Sequence, residues 1–126
     1  MNKTDVILLA GRMLEESGYV EHPYIDGMLR REEVFDTNIG NGIAIPHGTD
    51  DSKQFIRHSG IVVILFPQGT WWNQAVVKIV IGIAGKGDEH LDILANIAER
   101  LSDPQAVEEL LNYNIDQVHQ VFTGGI

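Results

Sequence analysis

The sequence predicts an α+β fold, a three-layer α/β/α sandwich around a small, mainly buried mixed sheet, with helices before and after the strand cluster. Two observations carry that expectation. Residues 60–66 and 76–84 are apolar runs rich in β-branched side chains, and the first shows no alternation, as expected of strands buried on both faces. Helical periodicities flank this cluster on both sides, which supplies cover for both faces of a sheet. A chain of 126 residues without an internal repeat or linker is expected to build one core, in a single domain spanning 1–126.

Taken in order, Val6, Ile7, Ala10, Met13 and Leu14 recur at helical spacing between Thr4 and Ser17, with Asn2 or Thr4 as N-cap and Gly18 as stop. A second helix opens at Pro23 and runs to about Glu33, placing Ile25, Met28 and Leu29 inward. The turn-rich stretch Asn38-Ile39-Gly40-Asn41-Gly42 leads into a short strand, Ile43-Ala44-Ile45, which Pro46 ends by withholding an N–H. After the two buried strands, Asp88 is placed to cap a helix with Leu91, Leu94, Ile97, Ala98 and Leu101 on one face. Asp103-Pro104 restarts a helix through Leu111, and residues 116–122 form a last short one. The pair Trp71-Trp72 falls in the expected strand-to-strand connection, either folded back on the core or facing a partner.

Composition removes several functions. With no cysteine, disulfides, Cys-type zinc sites and cysteine nucleophiles are excluded. Nine basic against eighteen acidic residues give a formal charge of −9, which disfavours nucleic-acid binding. No stretch approaches the roughly 20 apolar residues of a membrane span, so no membrane insertion is expected. The first residues do not read as a signal peptide, and a cytoplasmic location is the default. Neither a Gly-x-Ser-x-Gly elbow nor a phosphate-cradling Gly-x-x-x-x-Gly-Lys-Ser/Thr motif is present.

Chemistry is therefore sought among the five histidines. His22, His58 and His119 stand in polar contexts and read as surface residues. His47 is held between Pro46 and Gly48 directly after a strand, where open α/β sheets place ligand sites. Its spacing fits either a reactive group or a loop histidine that caps the strand by hydrogen bonding. His90 falls in the first turn of the helix after Asp88, where free N–H groups and the helix dipole attract anions and disfavour imidazolium. Taken alone, it reads equally as a surface histidine. No third ligand for a metal is apparent, and no cofactor is expected.

Arg31-Glu32, Thr37 and the run Ile39-Gly40-Asn41-Gly42-Ile43-Ala44-Ile45-Pro46-His47-Gly48-Thr49 resemble the active-site signature of enzyme IIA of the sugar phosphotransferase system, mannitol/fructose type. The segment Val80 to Leu91, with Gly85-Lys86-Gly87-Asp88-Glu89-His90, resembles the mannitol branch in particular. The resemblance implies that His47 accepts a phosphoryl group from the phosphocarrier protein HPr and passes it to a cysteine on enzyme IIB, which serves the membrane enzyme IIC. It also implies that His90 orients the acceptor and that Arg31 and Asn41 bind the phosphoryl group. The family usually has a short strand ahead of the first helix, for which this chain has little room. Without cysteine or spans, a free-standing IIA subunit is expected. The rival is a nitrogen-type regulatory IIA, against which the mannitol-like segment argues.

Overall fold

A computed structural model describes residues 1–123. Helix α1 (Lys3–Glu16) starts where the Asn2 side chain accepts from the Asp5 N–H at 2.9 Å, and stops before Gly18, whose φ of +83° reverses the chain. Helix α2 (Pro23–Val34) opens on its proline, as expected, and buries Ile25 and Met28. Leu29 lies at the margin of the same cluster.

The sheet has four strands: β1 (Asn38–Gly40), β2 (Ile43–Ala44), β3 (Gly60–Trp72) and β4 (Ala75–Ala84), in the spatial order β1-β2-β4-β3. β2 runs parallel to β4, and the other pairings are antiparallel, so the sheet is mixed. The turn-rich patch before β2 conceals the short strand β1, which the sequence expectation omitted. Among the described residues no strand precedes α1, and β3 forms one edge.

β3 departs most from expectation. It continues through Pro67-Gln68-Gly69 to Trp72, so the tryptophan pair lies within the strand and not in a connection. A register shift between Leu65 and Thr70 absorbs Pro67, whose missing N–H is tolerated at an edge or bulge, and Gly69 takes φ +83°. Strand alternation then divides the pair: Trp72 is fully buried, whereas Trp71 is 65% exposed. As an edge strand, β3 is only partly buried, so the expectation of burial on both faces holds for the inner part of β4 alone.

Helices α3 (Glu89–Leu101), α4 (Pro104–Leu111) and α5 (Ile115–Thr123) follow the sheet. One core joins α1 and α2 to the sheet through Val6, Ile7, Leu14, Met28, Val62 and Val80; the other joins Ile43, Ile79, Ile81 and Ile83 to α3 and α4 through Ile97, Leu101 and Leu110. These two cores separate three layers. The inward face of α3 is Ile93, Leu94, Ile97 and Leu101; Leu91 and Ala98, expected inside, are exposed. Asp88 precedes α3 without a capping bond from its side chain. Among the described residues, no helix is long and apolar enough to cross a membrane.

One buried carboxylate ties the α2 layer to the sheet. Glu32, on α2, accepts from Trp72 Nε1 at 2.8 Å, from the Thr37 hydroxyl at 2.8 Å and from the Thr37 N–H at 3.0 Å. Thr37 in turn accepts the Ile45 N–H at 3.0 Å. Replacing Glu32 by alanine leaves three donors without their acceptor, and the expected loss is about 3 kcal/mol or more, read as a lowered urea midpoint.

Candidate functional site

His47 stands where the chain leaves β2 and continues beside β4. Ile83 donates its N–H to the Pro46 carbonyl at 3.0 Å, and His47 pairs with Ile83 in a parallel bridge. The segment is thus held although Pro46 has ended the strand proper. The His47 ring folds back so that Nδ1 lies 2.8 Å from the Ile45 carbonyl. A carbonyl can only accept, so Nδ1 carries the proton and Nε2 presents a free lone pair.

His90 reaches the same place from the first turn of α3. The two ring centroids are 5.2 Å apart at an interplanar angle of 49°. Both histidines are held below the ordinary value of 6.5, in each case chiefly by burial. The Ile45 carbonyl pulls His47 back upward, while the charges of Arg31 and Lys53 press it down. For His90 the neighbouring His47, Lys53 and Arg31 add to the burial effect. Desolvation, followed by the neighbouring His47 and the cations, thus favours the neutral form of His90, in the same direction as the helix terminus is expected to act. The free amides expected there are also partly spent: Glu89 N–H donates to Lys86 O at 3.0 Å and His90 N–H to Gly87 O at 3.4 Å.

Arg31 lies in the last turn of α2, half-buried, with its guanidinium carbon 4.9 Å from the centroid of the Phe35 ring. Its Nε is buried without a hydrogen-bond partner. A half-buried cation with a buried, unused donor, whose charge acts on both histidines, is suited to an incoming anion. Arg31, His47 and His90 thus form one cluster.

Asn41 does not join them. It occupies the β1–β2 turn at φ +55° and donates from Nδ2 to the Ser102 carbonyl at 3.3 Å. The neighbouring Gly42 pairs at Lys78, five residues before Ile83 along β4, so Asn41 sits roughly 16 Å from the His47 end. Its sequence proximity to His47 is spent running the length of β2. Its structural role is to adopt the left-handed turn and to tie that turn to the end of α3.

Two residues that shape the site were missed by sequence reasoning. Tyr24, 2% exposed, donates from its hydroxyl to Ile83 O and accepts from the Gly48 N–H, each at 2.8 Å. Burial pushes its hydroxyl up to about 12, so it keeps its proton. Lys53, in the short 3-10 helix Asp51–Phe55, adds positive charge beside both histidines. Neither stands in a recognisable pattern; only the folding of α2 and the 3-10 helix against the His47 segment reveals them. Of the histidines read as surface, His22 is exposed and meets Glu15 at 3.0 Å, and His58 is exposed.

A family model described as "Phosphoenolpyruvate-dependent sugar phosphotransferase system, EIIA 2" matches residues 1–124. A mannitol-specific phosphotransferase enzyme IIA component from Geobacillus stearothermophilus is 51% identical over 111 residues, covering 87% of this chain and 77% of its own. The crystal structure of IIA mannitol from Escherichia coli superposes with a TM-score of 0.88 at 32% identity, over 97% of this chain and 89% of that one. A complex of enzyme IIAMTL with phosphorylated enzyme IIBMTL, also from Escherichia coli, gives 0.90 at 31% identity, over 98% and 88%. The chain belongs to the EIIA 2 family of the phosphoenolpyruvate-dependent sugar phosphotransferase system, and is a phosphotransferase of the kind that passes phosphoryl groups through a histidine.

Proposed function

We propose that His47 accepts a phosphoryl group from phospho-HPr and passes it to a cysteine of enzyme IIB, in the cytoplasm, for uptake of mannitol or a related polyol through enzyme IIC. The observation that carries this reading is the Nδ1–H bond to the Ile45 carbonyl, which leaves Nε2 unprotonated and in a fixed direction. Nε2 attacks phosphorus in line; the new N–P bond forms as the donor's N–P bond breaks. In the second transfer the IIB thiolate attacks, the S–P bond forms, and the electron pair returns to Nε2. No proton has to leave His47 in either direction.

His90 and Arg31 stabilise the equatorial oxygens, with Arg31 Nε as the unused donor. Asn41 is left out of this site on the ground of its position. A nitrogen-type regulatory role has less support, because the relatives at 43–51% identity are mannitol components.

Incubation with phosphoenolpyruvate, enzyme I and HPr is expected to leave acid-labile, base-stable phosphate on the chain. His47→Ala abolishes it; label retained in that variant would refute the assignment. For His90→Ala the protein folds, since the side chain is only partly buried, and the rate of transfer from phospho-HPr falls on the order of a hundredfold. An unchanged rate would remove His90 from the mechanism.

The nucleophile must be neutral, and its protonation is displaced downward from 6.5. A lowered value moves the acid limb of the rate profile to lower pH. Single-turnover transfer measured from about pH 5 to about pH 9 is expected to be flat above the ordinary histidine value and to decline only below it. An acid limb centred above that value would contradict the buried, neutral ring.

A further inference from the structure

In a parallel pair the residue facing His47 donates its N–H to the carbonyl one position before and accepts, on its own carbonyl, the N–H one position after. The first of these bonds is present, from Ile83 N–H to Pro46 O at 3.0 Å. The second runs through a side chain. Gly48 N–H donates to the Tyr24 hydroxyl at 2.8 Å, and that hydroxyl donates to Ile83 O at 2.8 Å. A phenol from the first turn of α2 is thus inserted into the last rung of the sheet, directly after His47. The approach requires glycine at 48: an added Cβ would lie 2.6 Å from Tyr24 Cε1 and 2.3 Å from Ser52 Oγ.

The ring of Tyr24 belongs to the core formed with Val6, Met28 and Ala84, a task phenylalanine would perform without burying a hydroxyl. The hydroxyl therefore has a separate use. We propose that Tyr24 is a positioning residue for phosphoryl transfer: its hydroxyl sets the gap between residues 45–48 and β4, and so fixes the direction of the His47 ring. This inference rests on His47 as the acceptor. Without the hydroxyl, the rung either closes to a direct bond, drawing Gly48 onto β4, or leaves Gly48 N–H and Ile83 C=O unpaired. In both cases the backbone shifts on one side of His47 while Pro46 stays anchored on the other, and the ring turns away from the Ile45 carbonyl.

The test is Tyr24→Phe. We expect a cooperatively folded protein whose transfer rate from phospho-HPr falls roughly tenfold to a hundredfold, the cost of a misplacement near 1 Å. The ¹⁵N signals of the His47 ring should show the Nδ1–H tautomer giving way to a mixture, which a merely structural loss of packing would not produce. Met28→Leu, a packing change on the same helix, should leave both readouts in place. An unchanged tautomer and rate in Tyr24→Phe overturn the proposal. Those results together with label lost in His47→Ala would leave the acceptor assignment standing. A shifted tautomer together with label retained in His47→Ala would refute the acceptor and keep the positioning contact. Should Tyr24→Phe fail to fold, the unaltered protein still decides: a slowly exchanging Tyr24 hydroxyl proton and a protected Gly48 amide support the inserted rung, and rapid exchange of both overturns it.

Discussion

The site depends on a short parallel pairing that outlasts its own strand. β2 contains only Ile43 and Ala44, yet the chain remains beside β4 for three more residues and delivers His47 opposite Ile83. Three groups maintain that course after Pro46 has withdrawn its donor: the Pro46 carbonyl, the Thr37 carbonyl that accepts from Ile45, and the Tyr24 hydroxyl. Each comes from, or is anchored to, a different part of the fold. Glu32 holds Thr37 and Trp72 together, so α2, the entry to β1 and the far reach of β3 share one buried carboxylate, and Thr37 passes the support on to Ile45 beyond β2. A short strand alone would fray; here its end is fixed from both the sheet and the helical layer.

The electrostatics follow from that placement. Burial favours the neutral form of both rings, and the cations beside them, Arg31 and Lys53, act in the same direction. Positive charge that disfavours a proton also favours a phosphoryl group, so in the proposed mechanism one arrangement both frees the nucleophile and receives its cargo. The protein as a whole carries −9, and acids stand close by as well: Lys53 pairs with Asp50 at 3.6 Å, and Glu32 and Asp50 partly offset the two cations at His47 and His90 respectively.

Much of this was legible in the sequence. Helical periodicity with Asn2, Pro23, Gly18 and Asp103-Pro104 at the boundaries located α1, α2 and α4 closely, because caps and proline act over a few residues. Pro46-His47-Gly48 pointed to the strand end for a local reason of the same kind. What escaped notice is non-local. Whether β3 is an edge depends on which strand pairs with it, so its exposure, and the opposite fates of Trp71 and Trp72, could not be read from an apolar run. Asn41 was assigned to the site through the family signature that also contains His47, yet an extended segment carries it to the other end of the sheet. Tyr24 was overlooked for the converse reason: it is 24 residues from Gly48 and touches it only once α2 packs down.

A carrier must release what it binds, and the geometry around His90 bears on that. If the first amides of α3 were all free and aimed at Nε2, the phosphorylated state would be held by fixed dipoles that cannot move away. Two of them instead close turns onto Lys86 and Gly87, and in the proposed mechanism stabilisation falls to the side chains of Arg31 and His90. Arg31 packs on Phe35, itself 58% exposed, at the surface end of α2. An approaching protein can therefore compete for the guanidinium or rearrange its stacking partner as the thiolate attacks. Stabilisation that is strong in the transition state and weak in the phosphorylated ground state favours transfer over storage. A site built from one anchored histidine and two side chains meets that requirement better than a ring of backbone donors would.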